Sequence, residues 1–301
     1  MDSDGSISKV GTAMMPFLAI LCHELRSLSS SWLVRLWFGV SLLWTLLTMA
    51  ASWEGLDKAP LIAVMLAPYL VFPWFIVVML LGLSSVTGSR LDALADGILS
   101  RPVTRHEYLL ASWAARVLIV LAVFLIVIIP TVSLVAFVER EGPSEEVTFY
   151  GVTAALCVVS LVLTFLVSLG FFAGTLLRSP LLAAVLLVFF WMPINLVLHQ
   201  FSLEEFSPLS LTQALPKLLQ TPWGETETQV GETTQEDLMR AAQSLLMFAG
   251  AQPAKRQQDG FFEQGQDRYE DFSLLRVLLG YGLPTLAAIG LAVLCFCWRD
   301  L

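Results

Sequence analysis

Charge is what this sequence has least of. Only 14% of its side chains are Asp, Glu, Lys or Arg and 56% are hydrophobic, against about 25% charged and about 45–50% apolar in soluble domains. Such a chain cannot cover a water-facing surface, which excludes an ordinary soluble globule. Histidine occurs three times and cysteine four times in 301 residues, so a disulfide framework is not expected and a Ser-His-Asp constellation has little material. Cys22, Cys157, Cys295 and Cys297 all lie in or beside apolar stretches. The Cys295-x-Cys297 pair points to two faces of a helix with no further ligand near it. Core packing, not a metal site, is the expectation.

Catalytic signatures are also missing. A phosphate-cradling loop needs Gly directly before its Lys, yet Lys9, Lys58, Lys217 and Lys255 follow Ser, Asp, Pro and Ala. His23-Glu24 starts like a zinc-protease helix, but Ser27 stands where the second His would share the metal. Gly82-Leu83-Ser84-Ser85-Val86 lacks the closing Gly of a nucleophile elbow. No catalytic residue and no metal ligand set is therefore expected. A cleaved signal peptide is not expected either, because the first apolar stretch is interrupted by His23, Glu24 and Arg26.

What is present is a series of long charge-free tracts, at residues 36–53, 59–89, 117–138, 147–177, 179–203 and 277–298. A bilayer core about 30 Å thick needs roughly 20 apolar residues of helix, since lipid satisfies no open backbone group. The tracts predict an all-α integral membrane protein with six transmembrane helices. Lys and Arg collect in one set of connections, with Lys9, Arg26, Arg35, Arg90, Arg101, Arg105, Arg116, Arg178 and Arg299 on one side. The short loops opposite carry Lys58 and Arg140 among six carboxylates. By the positive-inside rule both termini are expected in the cytoplasm. Proton- or ion-coupled carriers place ionisable groups at mid-membrane, and no span has one centrally. Arg116 is expected near the inner end of span 3, snorkelling to the interface.

The expected domain order follows. Residues 1–12 are a polar Gly/Ser-rich cytoplasmic tail, expected to be disordered. Residues 13–30 form an amphipathic interfacial helix with Phe17, Leu18, Leu21, Leu25 and Leu28 on its apolar face and His23, Glu24 and Ser27 towards the other. Residues 31–200 hold spans 1 to 5, with a cytoplasmic segment at 88–107. Pro68 and Pro73 interrupt span 2. Gly170 and Gly174 have the spacing that lets two helices pack closely. Residues 201–273 form an extracytoplasmic loop with helices at 210–220 and 234–250, a lid or docking surface over the outer mouth. This loop holds 12 acidic and 5 basic residues, nearly all of the formal charge of −8. An acidic surface there does not favour nucleic acid as a partner. Residues 274–301 are span 6 and a short cytoplasmic end.

One segment carries more than hydropathy. Asp96-Gly97-Ile98-Leu99-Ser100-Arg101-Pro102-Val103-Thr104-Arg105 places an acidic-Gly-apolar-Leu run before a Pro-x-x-Arg turn. It resembles the signature between spans 2 and 3 of the ABC-2 type permeases, the transmembrane subunits of ATP-binding cassette transporters. The interfacial helix with Glu24-Leu25-Arg26, the Arg178-Ser179-Pro180 turn before span 5 and the Arg299-Asp300-Leu301 ending are similar too. Ala111-Ser112 departs from the family's usual Gly-Lys, and the loop before span 6 is longer than usual. The resemblance implies an ABC-2 permease-like fold in a bacterial cytoplasmic (inner) membrane, and a permease subunit forming half of the pathway of an exporter. It implies two cytoplasmic ABC ATPase subunits that bind ATP and Mg, leaving this chain without a cofactor, and a second permease, identical or paralogous. Arg90, Leu91, Asp92, Leu94, Asp96, Gly97, Leu99, Arg101, Pro102 and Arg105 would be the ATPase-coupling contact. The alternative expectation is a non-transporting assembly or mechanical subunit that couples the ATPase to an extracytoplasmic protein held by residues 201–273.

Overall fold

The computed structural model describes residues 4–53, 55–71, 73–83, 105–138, 147–177, 179–200, 207–221 and 274–298. Among these residues every regular element is an α-helix. In chain order they are α1 (Asp4–Ser30), α2 (Trp32–Ser52), α3 (Lys58–Leu70), α4 (Trp74–Leu83), α5 (Arg105–Phe137), α6 (Phe149–Leu176), α7 (Pro180–Gln200), α8 (Pro208–Gln220) and α9 (Leu274–Trp298). Five stretches are long and apolar enough to cross a membrane: α2, α3 with α4, α5, α6 and α9. In α7 the qualifying apolar stretch, Leu181–Trp191, is shorter than a span.

The distribution of side chains fits a lipid solvent. In α2 the buried stripe is Val34, Trp37, Ser41 and Thr45, whereas Leu33, Leu36, Val40, Leu43 and Leu47 are exposed. A helix in water does the reverse. On α9 Val277, Tyr281, Thr285, Ala288 and Ala292 recur at three- and four-residue steps as the buried face, while Leu275, Leu279, Leu283 and Leu286 lie outside. With so many large apolar side chains outside, the helices are those of a multi-pass membrane protein.

At the centre is α6. It packs against α9, α4, α8 and α5, and its buried residues run nearly all the way round from Gly151 to Thr175. Glycine permits the closest of these approaches. A Cβ on Gly82 of α4 would stand 2.5 Å from the Val167 carbonyl oxygen, and one on Gly170 would run into the Met79 carbonyl. No larger residue fits while the two backbones remain this close. Gly174 sits on the same seam against Leu83.

Span 2 is broken. Pro73 has no N–H and disfavours helix at the residue before it, and α3 ends at Leu70 three residues earlier. The break is covered: the Val71 N–H donates to the Ala67 carbonyl at 3.0 Å and the Ile76 N–H to the Pro73 carbonyl at 3.3 Å. Pro68, by contrast, stays inside α3.

The two ends of the bundle differ. At one, α3 begins beside the end of α5, where Lys58 Nζ donates to the Ala136 carbonyl at 3.4 Å. There α8 packs against α3 and α6. Thr148 caps α6 by accepting from the Gly151 N–H at 2.9 Å and donates to the Thr221 carbonyl at 2.6 Å. Its own N–H donates to the Leu219 carbonyl. Leu211, Ala214, Leu215, Leu218 and Leu219 of α8 are buried. The first helix expected in the 201–273 loop is thus packed into the bundle. The second, at 234–250, lies outside the described residues.

Candidate functional site

The expected coupling contact falls mostly outside the described residues. Arg90, Leu91, Asp92, Leu94, Asp96, Gly97, Leu99, Arg101 and Pro102 belong to residues 84–104, which are not described. Arg105 is the first residue of α5. The structure therefore shows what that segment leads into: the first three turns of α5, which hold three other helices.

First, Leu109 is buried with Phe171 of α6 and Ala292 of α9, and Trp113, Phe172 and Phe296 pack around them. One turn on, the Trp113 Nε1–H donates to the Ser168 hydroxyl of α6 at 2.9 Å. On another face of α5, Arg116 Nη1 donates to the Ser112 carbonyl and hydroxyl, both at 2.6 Å. Arg116 Nη2 lies 3.8 Å from Glu24 Oε2 of α1.

Two sequence expectations change here. Arg116 does not snorkel: only 2% of it is exposed, and its charge is met inside the protein by Glu24 and Ser112. Burying a cation without such partners would be prohibitive. Nor does Glu24 belong to the solvent face of α1. Half-buried Phe17, Ile20, Leu21 and Glu24 and buried Leu28 share the face that packs on α5, while Leu18, His23 and Arg26 are exposed. The carboxylate sits on an apolar stripe because a cation is opposite. α1 also begins at Asp4, taking into the helix residues that composition alone assigns to a tail. Once a packed turn exists, each further residue adds a hydrogen bond at low cost.

Sequence reasoning missed the Glu24–Arg116 pair and the Trp113–Ser168 bond. Signals were present for the two members of the ion pair: Ser112 lies one turn before Arg116, and Glu24 lies one turn from Leu28 and Ile20. Neither signal names a partner helix, so hydropathy alone could not have joined them.

A second polar feature lies between α2 and α3. The Tyr69 hydroxyl faces Ser41 and Thr45 without a bond of good geometry, and Ser41 Oγ and Trp37 Nε1 also lack partners. Thr45 turns its hydroxyl back to the Ser41 carbonyl at 2.8 Å, and the Tyr69 ring meets Phe124 edge-on at 4.9 Å. These hydroxyl and indole groups form a polar seam with no carboxylate, imidazole, amine or thiol among them. Among the described residues no three His, Cys, Asp or Glu side chains converge, and Cys22, Cys157 and Cys295 are free thiols.

Gly170 and Gly174, expected as a helix-packing pair, both lie against α4 at Met79 and Leu83. The structure brings them together with Gly82, whose place in the sequence, in Gly82-Leu83-Ser84-Ser85-Val86, carries no packing signal. Compared with known proteins, the sequence matches no family model and no curated protein.

Proposed function

We propose that the chain is the permease subunit of an ATP-driven exporter of the ABC-2 type, with α7 completing six spans and both termini in the cytoplasm of a bacterial inner-membrane protein. One chain forms half of a pathway. A second permease supplies the other half, and two ATPase subunits bind ATP and Mg and grip residues 88–107.

The observation that supports this reading is the joint at the start of α5. A displacement applied to residues 84–104 enters a helix of 33 residues, about 50 Å long, and that helix is fastened near its start to α1 by Glu24, to α6 by Ser168 and to α9 by Ala292. Packed helices transmit a push because their interfaces do not deform continuously.

Introducing Cys at Asp96 in intact cells tests the topology with a membrane-impermeant maleimide. Labelling only after permeabilisation is expected; labelling from outside overturns the reading. Reconstitution with the ATPase tests the coupling: Asp96→Lys with Arg105→Glu should lower its association at least tenfold. Deleting residues 234–250 then separates transport from the mechanical alternative. Unchanged export without the loop favours a transporter, and loss of an outer partner with ATPase activity intact favours an assembly subunit.

A further inference from the structure

We propose that a slot between α4 and α7 holds one acyl chain of a bilayer phospholipid. The proposal needs only the membrane location of these helices and is independent of any ATPase. The slot has a volume of about 430 Å³ and is lined by Met79, Leu80 and Leu83 of α4 and Ala184, Val188 and Phe189 of α7, with other apolar residues. No polar side chain lines it.

Its walls explain why it exists. The glycine seam draws α4 tightly onto α6, while α7 touches α4 and α6 much less extensively. Ala184 leaves room where a larger residue of α7 would meet α4. At one end Leu83 is packed with Ala173 and Ala183, beside Leu187. Towards the other end the Phe75 and Trp191 rings stack at 5.5 Å. From Ile76 to Leu83 the slot runs along eight residues of α4, a rise of about 10 Å.

Depth, polarity and width together select the occupant. The slot borders the stretch Lys58–Leu83, which is long and apolar enough to span a membrane, so hydrocarbon is the medium at its mouth. Water would find no hydrogen-bonding partner there. A third helix does not enter, because a helix is about 10 Å wide and neighbouring helices already pack at about 8–10 Å. A single hydrocarbon chain passes. Left empty, the slot would deprive its walls of dispersion contacts. Exposed Leu80, Val185, Val188 and Phe189 form the lips through which a chain enters from the bilayer.

The test uses the full chain in vesicles of phosphatidylethanolamine and phosphatidylglycerol doped with a phospholipid bearing a mid-chain diazirine. After irradiation, adducts are mapped by mass spectrometry. Met79, Leu80 and Val188 are expected to carry at least fivefold more adduct than Leu43 and Leu47, exposed on α2. Ala184→Phe fills the slot and should bring the three down to the α2 level while leaving α2 labelling unchanged. Should that variant misfold, Val188→Trp at the mouth should give the same loss. Equal labelling of slot and α2 in the wild-type chain overturns the proposal, as does enhanced labelling that survives both variants. Labelling below the α2 level would mean that protein, such as a side chain of a second copy, covers the slot, and overturns it too.

Discussion

Removing Glu24 should cost far more than a surface carboxylate is worth. At 3.8 Å from Arg116, with an effective dielectric constant of about 20, the attraction is about 4 kcal/mol. Desolvation offsets much of that, so the pair need add little compared with two apolar residues, yet stranding one member costs about 3–5 kcal/mol. The burial is asymmetric, with 2% of the Arg116 side chain exposed and 14% of Glu24. Glu24→Ala removes the carboxylate that faces the buried Arg116 cation, and the expected loss is about 3 kcal/mol. Arg116→Met leaves a carboxylate that still reaches the boundary, and the loss should be nearer about 1–2 kcal/mol. The double variant removes both charges and should resemble Arg116→Met alone, giving a coupling energy of about 3 kcal/mol in magnitude. Unfolding of the purified chain in mixed micelles, followed by tryptophan fluorescence, measures all four corners of the cycle. Additivity within about 0.5 kcal/mol would show that α1 and α5 are not joined through this pair.

Other sites give sharper contrasts. Gly170→Leu drives a side chain into the Met79 carbonyl and should destabilise by about 3 kcal/mol or more, whereas Gly39→Leu, with nothing within 4 Å of its Cβ, should be neutral or up to about 1 kcal/mol stabilising through helix propensity. The same unfolding assay checks both, and equal effects would refute the close α4–α6 seam. Thr148→Val loses the cap to Gly151 and the bond to the Thr221 carbonyl, which should cost about 1–2 kcal/mol. Backbone amide exchange in α8 should speed up selectively. Unchanged exchange there would mean that burial of Leu211, Leu215 and Leu219 alone anchors the helix.

Much of the helical framework is legible because lipid imposes a strict rule on composition. Charge-free tracts of span length read directly as helices, and the stretches found in α2, α3 with α4, α5, α6 and α9 lie where five of the six tracts lie. Pro73 marks the break in span 2 because a residue without an N–H cannot continue a helix. The fifth tract is less clear, since the described apolar stretch of α7 is short. Arg116 was misread because position along a span gives depth but not the direction a side chain faces. Glu24 was misread because a charge on an amphipathic helix is assigned to water unless its partner is known.

What the sequence by itself determined is the medium, the helical class and the approximate ends of the helices, all set by local hydropathy and by the need to satisfy backbone groups within one segment. Only the tertiary structure decided that α6 is the hub, that Gly170 and Gly82 face each other, that α8 is drawn into the bundle and that Glu24 meets Arg116. Those outcomes depend on which faces of distant helices come together. In a lipid solvent nearly every face is apolar, so the pattern of hydrophobic residues does not distinguish a packed face from a lipid-facing one.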